Sequence, residues 1–203
     1  MAARLEYEMR TLGADGAAFE TICAADQRAS MPHAQSTDAE LRPDSHILID
    51  WGARRAGYCS DLTRILCMDR IPHPVDDLIE IVLSAQAAVF EKLKPGNRCS
   101  EVDAAGRAVI AEAGYADRFG HGIGHGVGLS VHEAPRIGPG SDTALAPGMV
   151  VTVEPGIYIP GEAGVRIEDM ALITMDGYER LTSLPRIAAE LQAAAAPGTA
   201  NTN

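Results

Sequence analysis

The sequence has no excess of basic residues, no closely spaced cysteine pair and no long apolar run, and each absence argues against a class of function. Its 203 residues carry 17 Lys and Arg against 28 Asp and Glu, a formal net charge of −11. Nucleic acid and anionic membrane both require a basic face to displace counterions or meet headgroups, so neither is an expected partner. A cation is the better match. Cys23, Cys59, Cys67 and Cys99 form no C-x-x-C pair and no finger spacing, which fits a reducing compartment better than a disulfide scaffold or a structural zinc site. They read as small buried hydrophobes. No stretch reaches the roughly 18 apolar residues of a membrane span, and Glu6 and Glu8 stand where a signal peptide needs an apolar run. A cytoplasmic protein is expected. A chain of this length buries roughly 70% of the surface its unfolded form exposes, enough for a core without covalent staples.

The spacing of Leu5, Met9 and Leu12 predicts a helix over 2–12 that stops at Gly13, followed by a strand over 19–24. Apolar runs at 47–51 and 62–68 read as the two strands of a hairpin, with Gly52 and Gly57 between them. The period then changes. Leu78, Ile81, Val82, Ala85, Val89 and Leu93 share one face of a helix over 76–94, closed by Pro95 and Gly96. Ser100 to Asp103 opens a second helix with a capping-box-like start. The segment from Gly114 to Pro135 is rich in glycine and histidine, and strands are expected again at 149–153, 156–159 and 166–174. The tail, 193–203, is expected to be disordered.

An internal repeat organises these elements. Leu41-Arg42-Pro43 precedes Asp50-Trp51-Gly52 as Leu145-Ala146-Pro147 precedes Glu154-Pro155-Gly156, at an offset of 104 residues, and Gly13 and Gly114 end corresponding helices. A second acid follows in each half, Asp61 after Asp50 and Glu168 after Glu154. The pattern predicts two αβ halves related by a pseudo-twofold, each with one carboxylate per hairpin strand, so that four carboxylates converge at the seam. The alternative is two unrelated hairpins with solvated acids. The first half shows no counterpart to the 76–94 helix, so an opening helix is expected to be missing ahead of residue 1, leaving apolar surface bare.

Four carboxylates held together raise one another's pKa, so such a cluster makes physical sense mainly around cations. Hard oxygen donors with an imidazole suit manganese, iron, cobalt or zinc. The imidazole candidates lie in the stretch HGIGHGVGLSVHE at 121–133. His121 and His125 have the spacing of a helical zinc pair, but the intervening glycines make that helix very poor. An extended strand fits better: period two places both histidines on one face, and glycines allow close approach. A phosphate loop is disfavoured, because the segment has no lysine and lacks the Gly-x-x-x-x-Gly-Lys-Ser/Thr spacing. His46, His73, Trp51 and Met170 fit packing or surface roles.

Six spaced stretches, MPHA at 31–34, LIDWG at 48–52, GYCSDLTR at 57–64, GHGVGLSVHEAP at 124–135, TVEPGIY at 152–158 and GVRIED at 164–169, resemble the active-site signatures of the pita-bread metallopeptidases. The similarity runs from about residue 3 to 190 and is strongest to the Xaa-Pro branch, aminopeptidase P and prolidase. It implies an α+β pita-bread fold, two pseudo-symmetric halves with a curved antiparallel sheet and helices on its outer face, as one catalytic domain over 1–192. It implies two divalent ions, manganese first and cobalt, zinc or iron as alternatives. Asp61 and Glu168 would bridge both ions, Asp50 would chelate one, and His125 and Glu154 would complete the other.

On the same resemblance a metal-bridging hydroxide would attack the bond before proline, in a dipeptide or a longer peptide. Glu154 would also carry the proton, His132 would hydrogen-bond the tetrahedral intermediate, His33 would position the substrate, and His121 and Arg166 would line the pocket. A full ligand set argues against the creatinase-like members, which work without metal. A homodimer is compatible with the resemblance. The competing readings are a methionine aminopeptidase, which shares the ligands, and a non-catalytic remnant, because the N-terminal domain usual in the Xaa-Pro branch has no counterpart in this sequence.

Overall fold

In the computed structural model, which describes residues 1–186, helix α1 (Ala2–Thr11) leads into short strand β1 (Gly16–Ala17) and strand β2 (Ile22–Ala25). A 3-10 turn at Asp26–Ser30 precedes β3 (His46–Trp51), the small strands β4 (Ala53–Arg55) and β5 (Tyr58–Cys59), and β6 (Leu62–Cys67). Helices α2 (Val75–Lys92) and α3 (Cys99–Glu112) follow as a packed pair. Then come β7 (Gly124–Gly126), β8 (Glu133–Ile137), β9 (Val150–Val153), β10 (Gly156–Ile159), β11 (Ala163–Arg166), β12 (Asp169–Ile173) and β13 (Tyr178–Arg180).

The repeat read from the sequence is a repeat of strand order. Antiparallel β2-β3-β6 in the first half corresponds to antiparallel β7-β9-β12 within the five-stranded sheet of the second, with β3 and β9 in the middle of each. A small hairpin, β4-β5 or β10-β11, is inserted at the same point in both. The helices preceding these units end alike. Gly13 and Gly114 adopt φ of +99° and +88°, and the residues after them, Ala14 and Tyr115, donate back to the carbonyls of Met9 and Ile110 at 3.0 Å. A left-handed residue at this position lets otherwise orphaned carbonyls find donors, and only glycine adopts it without strain.

The core is one cluster. Leu78, Val82, Ala85 and Val89 of α2 and Val102 and Ile110 of α3 pack with Leu48, Ile65, Val151, Val153 and Ala171 from the strands, all almost fully buried. Each such side chain contributes about 1.5–3 kcal/mol by leaving water. Helix α1 packs on β1 and buries no residue of its own.

Several boundaries differ from expectation. The strand expected over 19–24 is β2, which starts at Ile22 and follows the short β1, and α2 runs over Val75–Lys92 rather than 76–94. Helix α3 begins at Cys99, with Glu101 Oε2 accepting the Arg98 N–H at 3.3 Å, so the cap lies just ahead of Ser100. The strand expected over 166–174 is broken. β11 pairs with β10 while β12 pairs with β9, so the chain changes partners between Arg166 and Asp169 and leaves Glu168 in the gap. Cys67 and Cys99 are buried as expected, whereas Cys23 and Cys59 are only half-buried. Residues 187–203, including the tail expected to be disordered, lie outside the described residues.

Candidate metal centre

Strand geometry brings the acids together. Across the β3–β6 ladder Leu48 pairs with Ile65 and Asp50 with Thr63, so the rows that fill the core turn polar at their ends and continue to Asp61. In the second half Thr152 and Met170 face each other across β9 and β12, with Glu154 and Glu168 one step beyond on the same parity. Both ends open into one cavity of about 800 Å³. Every site residue expected from the sequence lines it: His33, Asp50, Asp61, His121, His125, His132, Glu154, Arg166 and Glu168.

Ligand atoms of Asp61, His125 and Glu168 lie within 4.8 Å of one another. His125 Nε2 stands 3.7 Å from Asp61 Oδ2 and 3.3 Å from Glu154 Oε1. The other ring nitrogen, Nδ1, is 2.9 Å from the Gly126 carbonyl. A carbonyl only accepts, so Nδ1 carries a proton and Nε2 is the atom left to bind a cation. His125 sits on β7, where a Cβ on Gly124 would come 2.0 Å from the Thr152 carbonyl and one on Gly126 2.2 Å from that of Ala134. The glycines expected to allow close approach do so. The strand is shorter than supposed, and His121 precedes it rather than sharing its face.

The electrostatics favour a cation. Burial, then the charges of Asp50 and Glu154, push the Asp61 carboxyl up to about 8. Burial, then Asp61, Glu154 and Asp50, hold Glu168 well above the usual carboxylate range. Asp50 is raised by burial even though Arg166 NH2 donates to its Oδ2 at 2.6 Å. Asp50 Oδ1 and Glu168 Oε1 are buried without a hydrogen-bond partner. Buried carboxylate oxygens without donors, crowded by like charge, are costly unless they ligate a positive ion. The donor set of four carboxylates and one imidazole therefore fits divalent metal. Glu154 behaves differently: burial raises it, but His125, His121 and Arg166 outweigh burial and leave it lowered, hence ionised at neutral pH.

Some neighbours of these residues carried no separate signal in the sequence. Tyr158, pushed up to about 12 chiefly by burial, accepts from Arg166 NH1 at 2.8 Å and lies 2.9 Å from His121 Nε2. Thr63 donates to Glu168 Oε2 at 2.6 Å and accepts from Arg166 Nε at 3.2 Å. Both stand within quoted motifs, but spacing assigned them no task. Met170, expected to be a packing or surface residue, accepts the Asp61 N–H on its sulfur at 3.2 Å. His46 is indeed buried packing, 3.7 Å from Asp26.

Comparison with known proteins gives a consistent result. The metallopeptidase family M24 matches residues 1–175. The chain is 45% identical over 186 residues to the Xaa-Pro dipeptidase of Pyrococcus horikoshii, covering 92% of this chain and 53% of that protein. Among solved structures it is similar to the X-Pro aminopeptidase from Thermotoga maritima, with a TM-score of 0.89 and 42% identity over 92% of this chain and 53% of that one. Against the prolidase from Pyrococcus furiosus the TM-score is 0.89, with 45% identity over 91% of this chain and 55% of that one. The chain thus spans about half the length of the relatives it matches. The fold is the α+β pita-bread fold expected from the sequence.

Proposed function

This chain belongs to metallopeptidase family M24, and from that premise we propose that it hydrolyses the peptide bond preceding proline with two divalent ions held by Asp50, Asp61, His125, Glu154 and Glu168. The observation that carries this reading is the convergence of those five residues, with His33, His121, His132 and Arg166, on one cavity from both halves of the fold. Asp61 and Glu168, whose ligand atoms lie with that of His125 within 4.8 Å of one another, would be the residues that serve both ions. Asp50, held by Arg166, would serve one ion, and the adjoining pair His125 and Glu154 would serve the other. Manganese is the proposed metal, and the same donors admit cobalt, zinc or iron.

Such ions supply Lewis acidity to the scissile carbonyl and acidify water toward hydroxide near neutral pH. The remaining work belongs to the chain. Glu154, ionised and aligned by the Thr152 hydroxyl at 3.3 Å, takes a proton and returns it to the leaving nitrogen. His132, exposed with its ring 4.3 Å from that of His125, has its pKa lowered by partial desolvation and then by the His125 charge, and offers a hydrogen bond to the tetrahedral intermediate. His33 positions the substrate from the first half, while His121 and Arg166, joined through Tyr158, line the wall. Arg136 and Glu20, also lining the cavity, offer charge partners for peptide termini.

An Xaa-Pro bond is a tertiary amide with no N–H and a fixed ring, so its cleavage needs a dedicated pocket. Proline preference is supported by likeness to proteins named Xaa-Pro dipeptidase. The cysteine spacing supports a reducing, cytoplasmic setting, and among the described residues no helix is long and apolar enough to cross a membrane. The test is release of proline from an Xaa-Pro dipeptide and of the first residue from an Xaa-Pro-Xaa peptide by purified protein with Mn²⁺, with Met-Ala-Ser as control. Proline-dependent cleavage is expected. Methionine release would favour the neighbouring aminopeptidase activity, and no cleavage with metal bound would overturn the assignment of activity to this chain.

A further inference from the structure

Helix α2 presents an apolar face to the core, and in the middle of it stands a glutamine. Gln86 is fully buried between Ala85 and Val89 of that face. An apolar residue would be the ordinary occupant, since a buried amide is costly unless both N–H groups and the carbonyl are satisfied. All three are. Gln86 Nε2 donates to the carbonyls of Val153 and Ile167, each at 3.2 Å, and its Oε1 accepts from Arg186 NH1 at 2.9 Å. Val153 immediately precedes Glu154, and Ile167 immediately precedes Glu168. One amide thus joins the backbones that carry two of the proposed ligands.

A second buried hub lies nearby in the fold. Arg64, 1% exposed on β6, donates from NH1 to the carbonyls of Thr63 at 2.9 Å and Glu168 at 2.5 Å. Its NH2 donates to Asp169 Oδ1 at 2.7 Å and to the Leu184 carbonyl at 2.8 Å, and its Nε donates to the Pro185 carbonyl at 2.9 Å. Arg64 therefore ties the strand that follows Asp61 to the gap that holds Glu168. Neither hub lines the cavity. Both converge on residues 184–186, which close the two hydrogen-bond sets.

We propose that Gln86 and Arg64 are positioning residues of the metal centre, buried hubs that set the separation of the Asp61, Glu154 and Glu168 backbones and are locked by the segment 184–186. The need for them follows from the break between β11 and β12. Glu168 lies where the chain changes strand partners, so ladder hydrogen bonds alone do not fix it. Groups behind a ligand that orient it typically alter metal affinity by about 10-fold to 100-fold when removed.

The proposal rests on the metal-centre reading, and the experiment separates the two. Co²⁺ is titrated by calorimetry into the full chain, and its visible absorption is recorded, for wild type, Gln86→Met, Gln86→Glu, Arg64→Lys and the core control Ile110→Val, each with a melting curve. Wild type is expected to bind two equivalents. Gln86→Met and Arg64→Lys are expected to weaken Co²⁺ binding by about 10-fold or more and to shift the absorption bands, while Ile110→Val lowers the melting temperature and leaves Co²⁺ affinity and spectrum unchanged. Gln86→Glu, which keeps the shape and loses both donors, should behave like Gln86→Met, and the two Gln86 variants decide the matter if Arg64→Lys does not fold. Wild-type affinity and spectrum in both Gln86 variants would overturn the positioning role alone. So would an equal loss of affinity in Ile110→Val. A wild type that binds no Co²⁺ would overturn the metal reading and this proposal with it.

Discussion

Asp61, raised to about 8 by burial and by Asp50 and Glu154, shows what the residues of this site require of one another. A buried carboxylate facing like charges is destabilising by itself and becomes favourable when cations neutralise the group. Replacing Asp61 with Ala is therefore expected to remove both metals rather than one, and to leave the chelated protein no less stable. Elemental analysis of the desalted variant checks this, and retention of two equivalents would deny Asp61 the bridging role proposed for it. The candidate ligands were legible because they recur at fixed offsets in recognisable stretches. Thr63, Tyr158 and Met170 were not, because a hydroxyl or thioether acquires its task only from what folding places opposite it.

Among the elements, β7 is tightly held by its neighbours. It lies between β8 and β9, and the missing Cβ of Gly124 is what lets the Thr152 carbonyl approach. Gly124→Ala is expected to destabilise the fold by about 3 kcal/mol, at the upper end for overpacking, and to weaken metal binding because His125 is displaced. Urea denaturation of the chelated variant measures the first effect, and an unchanged midpoint would show that the strands part freely. Hairpins and helices could be read from periodicity. The break at Glu168 could not, since an unbroken apolar pattern over 166–174 carries no sign that its two ends pair with different strands. The cap of α3 lies ahead of the Ser100 that residue type suggests, because Arg98, not a capping residue by type, holds the position.

For the whole molecule, protons and metal ions compete for one cluster, and the sign of the pH dependence depends on which is present. Without metal, Asp61 titrates at about 8 in the folded chain against 3.8 as its ordinary value. The folded state then holds a proton that the unfolded chain releases, so this group's contribution to stability falls as pH rises from about 4 to about 8. With metal bound the sign reverses, because acid protonates the ligands, releases the ions and removes binding energy that is also folding energy. Melting temperatures measured against pH in EDTA and in excess Mn²⁺ should therefore run in opposite directions through this window. Parallel curves would contradict a metal-dependent centre. The sequence by itself determined the acidic balance, the two-fold repeat and the four converging carboxylates, because these depend on residue type and spacing along the chain, while the pita-bread class and the full ligand set came from its resemblance to a known family. Only the tertiary structure decided that Arg166 holds Asp50, that Tyr158 stands between Arg166 and His121, that Thr63 joins Arg166 to Glu168, and that Gln86 and Arg64 hydrogen-bond to the backbone beside Glu154 and at Glu168. Those relations join residues far apart in sequence, and spacing carries no record of which buried donor meets which carbonyl once the two halves close.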